Sequence, residues 1–453
     1  MAKRIVIIGG GPGGNQAATL AARLGAEVTL VERDIIGGAA HLWDCIPSKA
    51  MIATGEALTF MGRAERMGLT ESLATLDSEA LRARITSIEA RLERSVTNLL
   101  ESQRVRLIRG TGRLTGPHHV VADTADGPVE LEADVIVLST GSRPRIPDWA
   151  PVDGRRVLTT RDAYPPPEIP DHLVVIGSGV TGVEFVHMFK SFGSDVTLIV
   201  SRQQVLPQKD PEVAAALEDD FLTRGVRLFK GARAEGIDVS DDGVVVRCDD
   251  GRQAKGSHAL LAIGSIPNSE GLGLDAAGVE TDRGGYVLVN HNLQSSVPHI
   301  YVAGDLSGKL PLSSVASMQG RKIAEHARGL HVGPHRHLDY EKAASAIFTE
   351  PEIADVGLAE TDAFAEGRKI RVTKVPFSSA AKALINDDPR GFVKLVSDPA
   401  TGVVLGGSIV GKHAAELISV VALAVTARLT VTDIVESLLV HPALSEALAE
   451  AAE

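Results

Sequence analysis

Arg4-Ile5-Val6-Ile7-Ile8-Gly9-Gly10-Gly11-Pro12-Gly13-Gly14 is the stretch that decides the fold. Arg4 to Ile8 is a short run whose last four residues are all β-branched, the pattern of a strand buried on both faces. Gly9, Gly11 and Gly14 then spell G-x-G-x-x-G. An alanine-rich helix is predicted from Asn15 to Leu24, and a second strand from Glu27 to Val31. That strand ends at Glu32, 18 residues past Gly14. A bare glycine motif is a weak signal. Strand, glycine turn, helix, strand and acid in this order form the full context of a dinucleotide site. Gly9, Gly11, Pro12, Gly13 and Gly14 let backbone approach a pyrophosphate, and the helix N-terminus offers unpaired N–H groups. Glu32 would accept from an adenosine ribose, with Arg33 beside it.

The pattern returns later. Leu173 to Ile176 reads as a strand, and Gly177-Ser178-Gly179-Val180-Thr181-Gly182 repeats the loop, with Glu184 two residues on. A helix and the strand Asp195 to Val200 follow. Two such units imply two nucleotide sites in one chain. The second strand here ends Val200-Ser201-Arg202, with no carboxylate. An acid would repel a 2′-phosphate, whereas serine and arginine can hold one. The second site is therefore expected to favour NADP(H), with NAD(H) left open. The alternative is that Arg202 is a solvated surface residue.

Composition sets outer bounds. A chain of 453 residues has room for about three domains. Its residues are 44% hydrophobic and 23% charged, the balance of a globular protein, and only 4% aromatic, so the core must be aliphatic. The net charge of −12 argues against nucleic acid and anionic lipid as partners. No apolar run approaches the ~20 residues of a membrane span. Nothing at the N-terminus reads as a cleavable leader. Two cysteines give no disulfide framework, and the expectation is a cytoplasmic enzyme. No metal site is expected. His331, His335 and His337 fall in a Gly/Pro-containing connector and read as solvated.

Between the two glycine motifs lies Gly37-Gly38-Ala39-Ala40-His41-Leu42-Trp43-Asp44-Cys45-Ile46-Pro47-Ser48-Lys49. This segment resembles the active-site segment of the pyridine nucleotide-disulfide oxidoreductases, the family of dihydrolipoamide dehydrogenase and glutathione reductase. The resemblance extends over essentially the whole chain. Thr140-Gly141-Ser142 looks like the family's return to the flavin domain. Tyr301-Val302-Ala303-Gly304-Asp305 looks like its second flavin motif, and Ala346 to Ile353 like the opening of its interface domain. His441-Pro442-Ala443-Leu444-Ser445-Glu446 matches its His-Pro-x-x-Ser-Glu. The family usually has arginine where this chain has Ser265.

The resemblance implies an α/β protein with two Rossmann-like domains, for FAD and NAD(P), and an α+β C-terminal dimerisation domain. The expected boundaries are 1–147 and 267–336 for the FAD and central parts, 148–266 for the NAD(P) part and 337–453 for the interface. It also implies cofactor contacts from Gly38, Ala39, Lys49, Gly112, Thr140, Gly141, Ser142, Gly264, Gly304, Asp305 and Leu312. Lys49 and Glu184 would pair beside flavin N5. His441, oriented by Glu446, would act as acid/base and complete the opposite subunit's site in a homodimer.

The family places two cysteines four residues apart just before Ile-Pro-Ser-Lys. Here the second is Cys45 and the first position is Ala40. Cys248, the only other cysteine, lies far along the chain in a strand-like run. A disulfide needs two sulfurs with Cα atoms about 4.4–6.8 Å apart. Dithiol chemistry by the family's route is therefore not expected. What remains is an FAD-dependent NAD(P)H:quinone oxidoreductase, the pattern of a cysteine-deficient branch. Hydride would pass to flavin N5, and the electrons directly to a quinone. His41 and Trp43 either line that pocket or pack beside the helix. The alternatives are a soluble pyridine nucleotide transhydrogenase, whose branch lacks the inner cysteine instead, a disulfide reductase using Cys45 with a partner thiol, and a non-catalytic flavoprotein.

Overall fold

The computed structural model describes residues 2–39, 44–70, 74–330 and 337–453. Ala40, His41, Trp43, His331 and His335 lie outside the described residues. The chain divides into two compact units, each assembled from three separate segments. The first comprises Met1–Ser48, Glu79–Arg145 and Gly264–Tyr340; the second comprises Lys49–Ser78, Ile146–Ile263 and Glu341–Glu453.

The first unit is built on a parallel sheet whose described strands run Ile300–Val302, Val135–Leu138, Arg4–Ile8, Glu27–Glu32 and Arg106–Arg109 in spatial order. Its central strands are buried on both faces, so their side chains are apolar without alternation. Helix α1 (Pro12–Arg23) follows the first strand. It lies backbone-close to the helix Ser313–Ala327: a Cβ added at Gly320 would stand 2.0 Å from the Gly13 carbonyl oxygen. A three-stranded antiparallel sheet, Thr111–Gly116, His119–Thr124 and Gly127–Glu132, completes the layering. Leu114, Val120, Ala122 and Leu131 of that sheet share a core with Val6, Ile8 and Ile136.

The second unit repeats the parallel design with Arg227–Lys230, Asp195–Val200, His172–Ile176, His258–Leu261 and Val157–Thr159. It adds the antiparallel sheet of the C-terminal segment, in the order Ser345–Ile347, Ile353–Gly357, Val404–Val410, Phe392–Ser397 and Arg371–Pro376. Among the described residues, no helix is long and apolar enough to cross a membrane.

Three boundaries differ from the sequence expectation. Helix α1 starts at Pro12 rather than Asn15, because proline at the first helical position loses no hydrogen bond. The sequence reads as a long helical stretch from about Ile52 to Met67, whereas helix α2 spans Cys45–Met61; Pro47 sits in its first turn, where a missing N–H is tolerated. Residues Ala64–Met67 form a separate 3₁₀ turn. The sequence from Val105 to Ile108 reads as the opening of a small antiparallel excursion, but the strand there, Arg106–Arg109, is the edge of the parallel sheet. The polar helix α3 covers Ser78–Ser102.

Two further helices matter below, α4 (Val180–Ser191) and α5 (Pro211–Thr223). His187 of α4 is fully buried. Its Nδ1 receives a hydrogen bond from Arg224 at 3.0 Å. Burial first, and then the Arg224 charge, pushes the imidazole down to about 3. The folded protein thus keeps His187 neutral while an unfolded chain protonates it near the ordinary histidine value. Stability from this group is complete above about pH 6.5 and is lost as pH falls toward 3. In the range between, one proton taken up on unfolding corresponds to about 1.4 kcal/mol per pH unit. Denaturation midpoints measured from pH 6.5 to 4.5 should show that slope, and His187→Gln should flatten it.

Candidate active site

Each glycine loop is shaped by its own chain. Gly9 and Gly177 have φ of +101° and +109°, and a Cβ on either would stand 2.3 Å from a carbonyl oxygen, Ser139 O or Ala262 O. Gly14 and Gly182 play a matching role: their added Cβ atoms would meet the Gly9 and Gly177 oxygens at 2.0 and 1.9 Å. Gly11 and Gly179 differ. Among the described residues, and leaving out chain neighbours, Ser139 O at 3.9 Å is the one atom within 4 Å of a Cβ on Gly11, and none lies within 4 Å of one on Gly179. No described neighbour requires glycine at these two positions, and each leaves open space beside its loop.

Other features of the first loop fit the FAD pyrophosphate and ribose. Among the described residues, no side chain caps α1 and the buried Asn15 Oδ1 has no hydrogen-bond partner. Gly38, at φ +80°, packs so closely that its Cβ would lie 2.3 Å from the Gly11 Cα. Glu32 turns its carboxylate to the loop, accepting from Gly10 N and Asp34 N at 2.7 Å each. Arg33 instead pairs with Asp34 at 3.1 Å and is exposed. Ala39 is half-buried. Gly112 lets its strand lie against Ile8, 2.8 Å from the place of a Cβ.

Thr140, Gly141 and Ser142 follow the strand Val135–Leu138. Thr140 Oγ1 donates to Asn268 O at 2.8 Å, and Asn268 Nδ2 donates back to Thr140 O at 2.9 Å. Ser142 Oγ donates to Asp305 Oδ2 at 2.6 Å. Gly304, at φ +74°, donates to Gln319 Oε1. These residues and the N-cap position Leu312 belong to the first unit. So does Gly264, which was expected with the NAD(P) part; its carbonyl accepts from Arg145 N.

In the second unit α4 also starts without a side-chain cap. Val180 and Thr181 are exposed at its first turn, as are Ser201 and Arg202 beyond the strand Asp195–Val200. Lys49 of α2 donates to Glu184 Oε2 of α4 at 2.8 Å; the glutamate side chain is 6% exposed and the lysine 34%. The other glutamate oxygen accepts from Phe348 N at 3.0 Å, and the Lys49 ammonium stands 4.8 Å from the centroid of the Phe348 ring. The sequence reading missed Phe348. Its hydrogen bond comes from the backbone, which no side-chain motif encodes, although it lies in the quoted Ala346 to Ile353 segment.

His441 Nδ1 donates to Glu446 Oε1 at 2.6 Å, and Ala443 N donates to Oε2 at 2.8 Å. Those two bonds, the backbone N–H first, hold the Glu446 carboxyl below its ordinary value. The acid therefore remains charged and fixes the imidazole with Nε2 outward, on a side chain that is 73% exposed. Cys45 is the first residue of α2 and is half-buried, whereas Cys248 is buried at the end of the strand Gly243–Cys248. Neither is in a disulfide.

Residues 3–320 match the family described as pyridine nucleotide-disulphide oxidoreductase, and residues 343–452 match its dimerisation domain. A Mycobacterium tuberculosis protein named NAD(P)H dehydrogenase (quinone) is 42% identical over 464 aligned residues, covering all of this chain and 94% of the relative. A dihydrolipoyl dehydrogenase of Zymomonas mobilis is 36% identical, covering 98% of this chain and 96% of the relative. The crystal structure of LpdA from Mycobacterium tuberculosis superposes with a TM-score of 0.94 at 42% identity, covering 100% of this chain and 99% of that one. The chain therefore belongs to the pyridine nucleotide-disulphide oxidoreductase family, as an oxidoreductase with a dimerisation domain and with FAD and a pyridine nucleotide as the cofactors that membership implies.

Proposed function

We propose that this protein is a cytoplasmic, homodimeric NAD(P)H:quinone oxidoreductase that works without a redox disulfide. The observation that carries the reading is the sulfur inventory. Ala40 stands where a partner for Cys45 is needed, and the one other thiol, Cys248, is buried in a sheet core. The name of the 42% identical Mycobacterium tuberculosis relative supports it. Residues 1–147 and 267–336 would form the FAD and central parts, 148–266 the NAD(P) part, and 337–453 the interface.

When bound, FAD supplies the two-electron chemistry between nicotinamide and acceptor. The remaining work falls to side chains. Lys49 places a cation, kept oriented by Glu184, where electron density accumulates. His441, oriented by Glu446 with Nε2 outward, passes a proton to a quinone oxygen in the site of the second copy of the chain. The balance is NADPH, one proton and quinone giving NADP⁺ and hydroquinone. Steady-state NADPH oxidation should proceed with a benzoquinone and be nearly absent with lipoamide; the opposite ranking would discard the reading.

NADPH is favoured over NADH because Arg202 is exposed at the end of its strand, beside Ser201 and without a carboxylate neighbour in sequence. Arg202→Ala should raise the KM for NADPH about tenfold, the worth of one charge-assisted hydrogen bond, and leave that for NADH unchanged. Equal effects on both would remove the basis for the preference.

A further inference from the structure

We infer that Gly55 is a positioning residue for the Lys49–Glu184 pair: it sets how closely α2 and α4 approach, and so whether the lysine reaches the carboxylate. The inference deepens the function proposed above and rests on its assignment of that pair to the redox site.

Gly55 is the one glycine of α2 and stands in its interior. A glycine there is about 1 kcal/mol less favourable than alanine, so helix propensity does not account for it, and packing is the usual reason. Gly55 is buried. A Cβ on it would stand 2.9 Å from Ser191 Cβ, 3.4 Å from Ser191 Oγ and 3.8 Å from Phe192 Cε1. The first of these is well inside van der Waals contact, so one helix must move.

Ser191 is not free to yield. Its hydroxyl donates to His187 O at 2.8 Å and accepts from Arg224 Nη2 at 2.9 Å. Arg224, the C-cap of α5, also bonds His187 Nδ1 and pairs with Asp220. The last turn of α4 is thereby tied to α5, and the strain of an added methyl falls on the α2–α4 spacing.

That spacing is shared with the ion pair. Lys49 lies six residues before Gly55, and Glu184 seven before Ser191. At 1.5 Å per residue these are ~9 and ~10.5 Å along helices that run the same way. The two contacts hold one gap between α2 and α4, at points about two turns apart. Prising it open at Gly55 lengthens the 2.8 Å bond at the other end, and a charge-assisted hydrogen bond is short and steep with distance. Glu184 cannot follow the lysine, because its second oxygen is held by Phe348 N.

The test uses the full-length, FAD-loaded protein and four variants: Gly55→Ala, Ser191→Gly, the double variant, and Lys49→Met as reference. The readout is the flavin reduction equilibrium against a redox dye, alongside thermal midpoint. Gly55→Ala should shift the equilibrium at least tenfold toward oxidised flavin, about 30 mV for a two-electron couple, in the direction of Lys49→Met. Ser191→Gly alone should leave it within threefold of wild type. The double variant should return to that range, since the colliding Cβ is gone. A wild-type equilibrium in Gly55→Ala beside a shifted Lys49→Met overturns the inference. An unshifted Lys49→Met instead overturns the assignment of the pair, and the inference with it. Should Gly55→Ala alone not fold, recovery of folding and of the wild-type equilibrium in the double variant carries the same support. A double variant that still does not fold refutes it.

Discussion

Lys394→Met is expected to destabilise the second unit by about 3–5 kcal/mol, the loss seen when one member of a buried charge cluster is removed. Lys394 lies on the strand Phe392–Ser397 and is 2% exposed. Its ammonium donates to Asp210 at 3.0 Å and Glu360 at 2.8 Å, and pairs with Glu212. Burial by itself would lower its pKa. The bonds to Glu212, Glu360 and Asp210 outweigh that and raise it well above the usual lysine value. A raised lysine contributes fully below its ordinary pKa and loses that contribution only as pH climbs beyond it, so between pH 6 and 9 the deficit should be constant. Methionine matches the stem but leaves Asp210, itself buried, facing two other carboxylates. Denaturant midpoints check the prediction. A loss under about 1 kcal/mol would mean that the cluster behaves as a solvated surface pair. Adding Asp210→Asn should recover part of the loss.

Lys49→Met carries the second large effect, a fall of about 10²–10³-fold in the rate at which NADPH bleaches the bound flavin, the range found when one electrostatic stabiliser is taken from a reaction centre. The variant leaves Glu184, 5% exposed, with Phe348 N as its remaining partner among the bonds described above. Lys49→Met/Glu184→Gln should not restore the rate, because the missing cation and not the bare carboxylate sets it. Rapid-mixing absorbance at the flavin band measures both, and a bleaching rate within threefold of wild type would remove Lys49 from the site.

Both glycine loops were legible because they are steric statements. A carbonyl oxygen 2.3 Å from the place of a Cβ admits no other residue, and the strand before each loop is too apolar to be on the surface. The pairing of Lys49 with Glu184 across 135 residues was legible only through resemblance, since nothing local in either helix names its partner. Phe348 and Lys394 were not legible at all. One acts through a backbone N–H, and the other is a lysine in a mostly apolar strand whose three acids come from distant segments. The start of α2 was missed because Pro47 reads as a breaker unless the preceding turn is already known to be helical. Gly55 was visible as a residue and silent as a contact.

The order of synthesis follows from the interleaving of the two units. The strand Val135–Leu138, apolar and buried along its whole length, takes its outer neighbour from Ile300–Val302. On the ribosome, that neighbour arrives on the order of ten to thirty seconds later at ordinary elongation rates. Throughout that interval the nascent chain carries a naked hydrophobic edge, and the entire second nucleotide segment emerges beside it. A cell that overproduces this protein at high elongation demand, or a fragment ending at Ser142, should therefore draw on chaperones or precipitate, whereas the finished chain seals its own seam.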